Sequence, residues 1–189
     1  MARSIHVTPA AHEAHSGARR TDAQLVVATR AGDMTALAEL YRRFSPTLMG
    51  VAYRLLASRQ GAEDVLHDVF VGLPEALRKY EERGRLESWL KQVTARVALS
   101  VLRHEKTTSR LESSPGPVAL NPETRITLQS AVAALPASLR AVLVLKEIEG
   151  FTHAEIAAML GISKGASEVR LHRALAALRA ALTKGEKLP

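Results

Sequence analysis

The chain has 189 residues and no cysteine, which excludes disulfides and thiolate metal sites from it and fits a reducing compartment. Hydrophobic residues make up 47% of it, enough for one sizeable core or two small ones and too many for a chain disordered throughout. Its 26 Lys and Arg exceed its 19 Asp and Glu by +7, a surplus that suits a polyanionic partner without choosing between nucleic acid and membrane.

Residues 1–20 are rich in Ala, His, Ser and Thr and poor in large apolar groups, so they read as a mobile tail without the apolar stretch of a secretory signal. His6, His12 and His15 in that tail have no regular ligand spacing and read as solvated histidines rather than a metal site. No apolar run approaches the roughly 18 to 20 residues of a transmembrane helix, and a cytoplasmic protein without membrane insertion is expected.

Helical spacing begins after the tail. Asp22 caps a helix that runs through Ala31 and stops at Gly32, and Asp33 caps a second that runs to about Arg43. A third begins at Ser45-Pro46, with Leu48, Val51, Ala52 and Leu55 on its apolar face, and breaks at Gly61. The fourth, from about Ala62, buries Val65, Leu66, Val69, Phe70 and Leu73 and gathers Glu63, Asp64, His67 and Asp68 on its other side, with a kink expected at Pro74 before Tyr80. A loop over Glu81–Ser88 leads to a fifth helix, whose apolar spacing is set by Trp89, Leu90, Val93, Val97 and Val101, while Lys91, Arg96 and Arg103 take more exposed positions. Trp89, at the start of that stripe, reads as core.

Residues 105–123 contain Ser113-Ser114-Pro115-Gly116-Pro117 and Asn121-Pro122 and read as an extended linker that can reach at most roughly 60 Å at about 3.3 Å per residue. Beyond it, Thr124–Leu135 and Ala137–Glu149 have helical spacing, punctuated by Pro136 and closed by Gly150. Thr152 and Glu155 stand at capping-box spacing at the head of a helix carrying Ile156, Ala157 and Leu160, which Gly161 ends; Ile162 plugs the corner. Ser163 caps the last helix, where Leu171, Leu175, Leu178 and Leu182 define a buried face. Turning that helix by roughly 100° per residue puts Ala166, Val169, Arg170 and Arg173 opposite the leucines, with His172 beside them and Lys164 at its start. The pair of helices is a helix-turn-helix, and its outward face carries arginines that can fork to guanine or phosphate and an apolar group for a thymine methyl. With no strand-period segment, the fold class is all-α: two small helical domains, residues 21–104 and 124–185, joined by a flexible linker.

Charge separates along the chain. Between Gly61 and Leu77 the only charges are Glu63, Asp64, Asp68 and Glu75, whereas Arg78–Arg103 holds seven basic and three acidic residues, and Lys164 onward six basic against two acidic. Two basic surfaces in different domains suggest two DNA contacts.

The segments LVVATRAGDMTALAELY (Leu25–Tyr41), GAEDVLHDVFVGLPEAL (Gly61–Leu77), LESWLKQVTARVALSVLR (Leu86–Arg103) and the run from Leu135 to Leu175 together resemble bacterial RNA polymerase sigma factors of the extracytoplasmic-function (ECF) group of the sigma-70 family. The resemblance implies a region 2 domain over 21–104 that binds core polymerase and opens the −10 element, and a region 4 domain over 124–185 that reads the −35 element. It implies that Glu63, Asp64, His67 and Asp68 dock on the clamp helices of the β′ subunit. Tyr80, Arg83, Arg85, Lys91, Arg96 and Arg103 would hold the opened strand, a task that needs a receptacle for a base and cations for the backbone. Lys164, Ala166, Val169, Arg170, His172 and Arg173 would contact the −35 duplex. It also implies an anti-sigma partner, with no cofactor, no metal and no catalytic residue. Arg96, Ser100, Ser167 and Glu168 depart from the residues common in the group, so the bases read at either element do not carry over; Glu168 could read a cytosine amino group or repel a phosphate. Two other readings compete. An autonomous dimeric regulator with an N-terminal sensor would use a palindromic site and ignore core polymerase, and an enzyme would have to build its centre from Glu63, His67 and Asp68.

Overall fold

In a computed structural model of the chain, residues 20–81, 83–108 and 127–185 are described, with backbone alone at 105–108 and 184–185. The expected tail histidines His6, His12 and His15 lie outside these residues, as do residues 109–126.

The first helix, α1 (Asp22–Arg30), is capped by Thr21 rather than Asp22: the Thr21 hydroxyl accepts from the Gln24 N–H, and the Gln24 side chain accepts from the Thr21 N–H at 2.8 Å. Asp22 falls in the first turn, where it pairs with Arg43 of the next helix. Asp33 caps α2 (Met34–Leu56), accepting from the N–H groups of Thr35 and Ala36 and from the Thr35 hydroxyl, and these bonds, the hydroxyl's first, hold its carboxyl well below the usual carboxylate range.

The two helices expected on either side of Phe44 are one. Pro46 lies inside α2 and cannot bond the Arg42 carbonyl, yet Arg42 faces solvent, and Phe44 and Leu48 are both buried across that turn. Burial outweighs the local stop signal. The helix ends instead at Ala57, a non-glycine residue in the left-handed region at φ 55°, and Gly61 lies in the first turn of α3 (Arg59–Arg78), capped by Ser58. Pro74, where a kink is expected, lies inside α3 with Leu73 and Leu77 completely buried beside it, and Tyr80 lies outside the helix. The next helix, α4 (Leu86–Thr108), takes in Ser88 and the first four residues of the expected linker.

In the second group, α5 (Leu128–Ala133) is shorter than expected and is capped by Thr127, and Pro136 caps α6 (Ala137–Leu143). The helix expected to reach Glu149 changes at Val144 to a π-helical turn, Val144–Ile148, which Gly150 ends at φ 77°. The helix-turn-helix follows as α7 (His153–Leu160) and α8 (Lys164–Gly185). On α8 the buried line runs through Ser167, Ala174 and Leu178; Leu171 and Leu175 are half-buried and Leu182 is 37% exposed, so the leucines flank the contact. Small residues at 167 and 174 let the neighbouring helices close on the backbone of α8.

The two groups share one core. Val142, Val144, Leu145, Ile156 and Met159 are continuous with the buried side chains of α2, α3 and α4. Arg140, 7% exposed, donates through Nε to the Leu55 carbonyl (2.9 Å), through Nη2 to that of Leu56 (3.4 Å), and through Nη1 to those of Ala133 (2.8 Å) and Leu135 (3.0 Å). These carbonyls lie at the C-terminal ends of α2 and α5, where no helical N–H is left for them and where the dipole favours a cation.

Since Ala57 adopts a conformation that costs an L-residue roughly 1–2 kcal/mol, Ala57→Gly is expected to raise stability by about 1 kcal/mol, read as a higher melting temperature of the full chain.

Candidate nucleic-acid interface

The helix-turn-helix is built from its caps outward. The Thr152 hydroxyl accepts from the Glu155 N–H, and the Glu155 carboxylate accepts from the Thr152 N–H (2.8 Å) and hydroxyl (2.7 Å). These bonds, the hydroxyl's first, draw the Glu155 carboxyl below its ordinary value. Gly161 turns the chain at φ 65°, and the Ser163 hydroxyl accepts from the Ala166 N–H at 3.1 Å to start α8. Between the helices, His153 Nδ1 and the buried Ser167 hydroxyl share a hydrogen bond of 2.9 Å, so Ser167 fixes how α7 sits on α8. That bond went unforeseen from the sequence, where Ser167 stood out only as an unusual residue.

Away from the buried line of α8, His172 and Arg173 are exposed and Val169 is 50% exposed; Ala166 and Arg170, about 100° and 60° round the helix from Ser167, are half-buried, and Lys164 is exposed in the first turn. Lys164 lies 3.8 Å from Glu168, which stands on the flank. The arginines and Val169 thus form one outward face on a rigid helix, the arrangement a major-groove reader needs.

The second basic surface surrounds the segment after α3. Arg30 donates to the carbonyls of Leu77 (2.8 Å) and Tyr80, which anchors the segment's start. Tyr80 itself is 6% exposed and its ring lies 4.8 Å from that of half-buried Trp89, so this pair is a wall rather than a free stacking platform. Tyr80 and Trp89 line a cleft of about 440 Å³ together with Arg83 and Arg85 and with Phe151 and Glu155 of the other domain. Arg83 pairs with Glu81; Arg85, Arg96 and Arg103 are exposed, the last donating through Nε to the Leu99 carbonyl at 3.3 Å. Seven residues apart, Arg96 and Arg103 share a face of α4, while Lys91 is turned about 140° away, toward Glu87 (3.3 Å) and Glu149 (3.8 Å).

On α3 the side chains of Glu63, Asp64, His67 and Asp68 are all exposed, and Glu63 pairs with Arg59 at 3.0 Å. Val71, 67% exposed, extends the same face by one turn, giving it an apolar end that the sequence reading did not single out. These carboxylates lie along an open helix, and among the described residues no group of His, Cys, Asp or Glu could hold a metal ion.

Comparison with known proteins gives two family matches: sigma-70 region 2 over residues 40–108 and sigma-70 region 4 over residues 125–178. The chain is 31% identical over 169 residues to the ECF RNA polymerase sigma factor SigE of Mycolicibacterium smegmatis, covering 81% of this chain and 65% of that one. It is 32% identical over 164 residues to the ECF RNA polymerase sigma factor SigM of Mycobacterium tuberculosis, covering 84% of this chain and 83% of that one. Its fold is shared with the sigma factor RpoE of Bartonella quintana, solved in complex with the anti-sigma factor NepR: TM-score 0.58, 22% identity, 77% of this chain and 96% of that one.

Thr152→Ala is expected to cost about 1 kcal/mol in thermal melts at pH 7. The folded Glu155 carboxyl titrates below its unfolded value, so its part of the cap is fully present above the ordinary carboxylate range and is lost as pH falls through it. The deficit of Glu155→Ala, measured at pH 7, should therefore shrink in melts at about pH 3.5.

Proposed function

The chain belongs to the extracytoplasmic-function group of the sigma-70 family, and on that footing we propose that it binds core RNA polymerase and directs promoter-specific initiation. The region 2 domain occupies about residues 21–104 and the region 4 domain about 124–185. The observation that carries the reading is the sorting of charge: an acidic exposed face on α3, and basic faces on α4 with its preceding loop and on α8. Transcription factors that only read duplex DNA need one basic surface; a factor that reads a duplex and holds an opened strand needs two, kept apart from a surface for protein.

In this reading Glu63, Asp64, His67 and Asp68 dock on the β′ clamp helices, with Val71 adding apolar contact. The cleft walled by Tyr80 and Trp89 takes an extruded base of the −10 element, and Arg83, Arg85, Arg96 and Arg103 hold its backbone. Arg170 and Arg173 read or clamp the −35 duplex, Val169 and Ala166 permit close approach, and Lys164 and His172 lie at the rim. Opening is driven by the binding energy of the extruded strand, with no hydrolysis and no catalytic residue in this chain. The protein works in the cytoplasm, beside polymerase; the structure has no helix long and apolar enough to cross a membrane among the described residues. As RpoE of Bartonella quintana is held by NepR, an anti-sigma protein restrains this chain by covering its nucleic-acid surfaces.

The test is run-off transcription from fragmented host DNA with sigma-free core polymerase. Specific transcripts should require the protein, vanish with Arg170→Ala/Arg173→Ala, and persist when residues 1–20 are removed. Each arginine removed from a phosphate should lower the salt dependence of promoter binding by about one unit of log–log slope. Asp64→Lys/Asp68→Lys should abolish co-elution with core polymerase while leaving the melting temperature within a few degrees. Duplex binding by the protein alone at a palindrome, with no affinity for core, would favour the dimeric regulator.

A further inference from the structure

Where the last turns of α2 meet α5 and the π-helical turn, the packing leaves a cavity of about 560 Å³, within the roughly 300–1,000 Å³ range of small-molecule sites. None of its lining residues belongs to the faces proposed for polymerase or DNA. Its apolar walls come from Ala57 of α2, from Leu128, Val132 and Ala133 of α5, and from Ile148 of the turn. Leu128 and Ile148 are 61% and 49% exposed and take no part in the buried core, so nothing in the fold requires large apolar groups there. A molecule lodged in the cavity would cover both.

The α2 wall is polar. Arg54 lines it and donates through Nε (3.2 Å) and Nη2 to the Glu149 carboxylate, whose side chain is only 1% exposed. The remaining nitrogen, Nη1, donates to no group among the described residues. It lies along Gly50, another wall residue, where a Cβ would come within 3.0 Å of it. Tyr53, the neighbour of Arg54, lines the same wall, and its hydroxyl has no partner among the described residues; exposed Gln129 is the third polar side chain at the cavity. A guanidinium can only donate and a phenol readily donates to an anion, so the polar end of an occupant has to accept. Lys91, 3.8 Å from Glu149, is shared with Glu87 at 3.3 Å, so the four charges around Arg54 cancel and leave no surplus for a dianion such as a phosphate. A monoanion with two oxygens for two donors, on an aliphatic body, fits both walls.

We propose that this cavity is a binding site for an aliphatic carboxylate. The chain lies over Leu128, Val132 and Ile148, and the two oxygens accept from Arg54 Nη1 and from the Tyr53 hydroxyl. Glu149 is a positioning residue: by engaging Nε and Nη2 it turns the third nitrogen of the guanidinium to the ligand. A ligand that binds the folded chain and not the unfolded one raises its stability by mass action.

Decanoate is the probe, on the full-length protein. Isothermal titration calorimetry should show one site per chain, and the melting temperature should rise by about 5 °C at about a hundredfold excess over the dissociation constant. Decanol, which lacks the carboxylate, and acetate, which lacks the chain, should each bind at least about tenfold more weakly. Tyr53→Phe and Arg54→Lys, the latter keeping the charge that meets Glu149, should each weaken decanoate by about five- to tenfold. Ala133→Trp, at a half-buried position outside the core, fills the cavity and should abolish binding, with the melting temperature of the free variant showing it folded. Decanol binding as tightly as decanoate, undiminished binding by Ala133→Trp and Tyr53→Phe, or heats without a defined stoichiometry, the mark of association with the basic surface at large, would overturn the site. So would a dimer in sedimentation velocity that Ala133→Trp abolishes, since a second copy of the chain would then be the occupant. No readout involves polymerase, so the outcome is independent of the sigma-factor reading.

Discussion

The guanidinium of Arg140 sits where the C-terminal ends of α2 and α5 converge, and much of the arrangement depends on its being there. Helix ends leave carbonyls without partners, and a buried end must find donors elsewhere. One side chain supplies donors to four carbonyls at or just past the ends of two helices, and its charge is favoured by both dipoles. A buried cation would otherwise be costly, so the site is stable only while both helix ends are in place. Arg140 therefore couples the internal order of the second domain, through α5, to its seating on the first, through α2.

Around that contact the charges are sorted by helix face. The acidic residues of α3 and the arginines of α4 are exposed on different helices, and on α8 Val169 and Arg173 lie well round from the buried line of Ser167, Ala174 and Leu178. The boundary between acidic and basic surface is drawn by helix rotation, so the packing of each helix decides which residues are available. The His153–Ser167 bond acts at that level, setting α7 against α8 with a polar contact where close packing alone would allow sliding.

Much of this was legible in the sequence, for local reasons. The capping box at Thr152 and Glu155, the left-handed Gly161 and the Ser163 cap are interactions within four residues, and all three are present. The all-helical class followed from spacing. Misreadings arose where distant burial overrode a local signal: Pro46 lies inside α2 because its flanking residues are held in the core, and Ala57 turns left-handed where Gly61 was expected to break the chain. Arg54, Arg140 and Glu149 were silent for another reason. The bonds of Arg54 to Glu149 and of Arg140 to α2 span 84 to 95 residues of chain, and nothing in the spacing of either segment reports the other. Tyr80 shows the limit for site residues, since composition identified an aromatic in a basic loop but not that its ring would be covered by Trp89.

The π-helical turn at Val144–Ile148 makes the aim of the second domain a matter of residue count. There the Glu149 N–H bonds the Val144 carbonyl, five residues back instead of four, and the Phe151 N–H reaches Leu145. One additional residue is thereby absorbed into a helix without being looped out. In an α-helix each residue advances the chain by about 100°, so excising a single residue from this turn would rotate everything that follows by roughly that angle. The amino acids of α8 would be unaltered and its arginines would point somewhere else. Insertion and deletion here, rather than substitution on the reading helix, is the shortest path by which such a protein could be re-aimed.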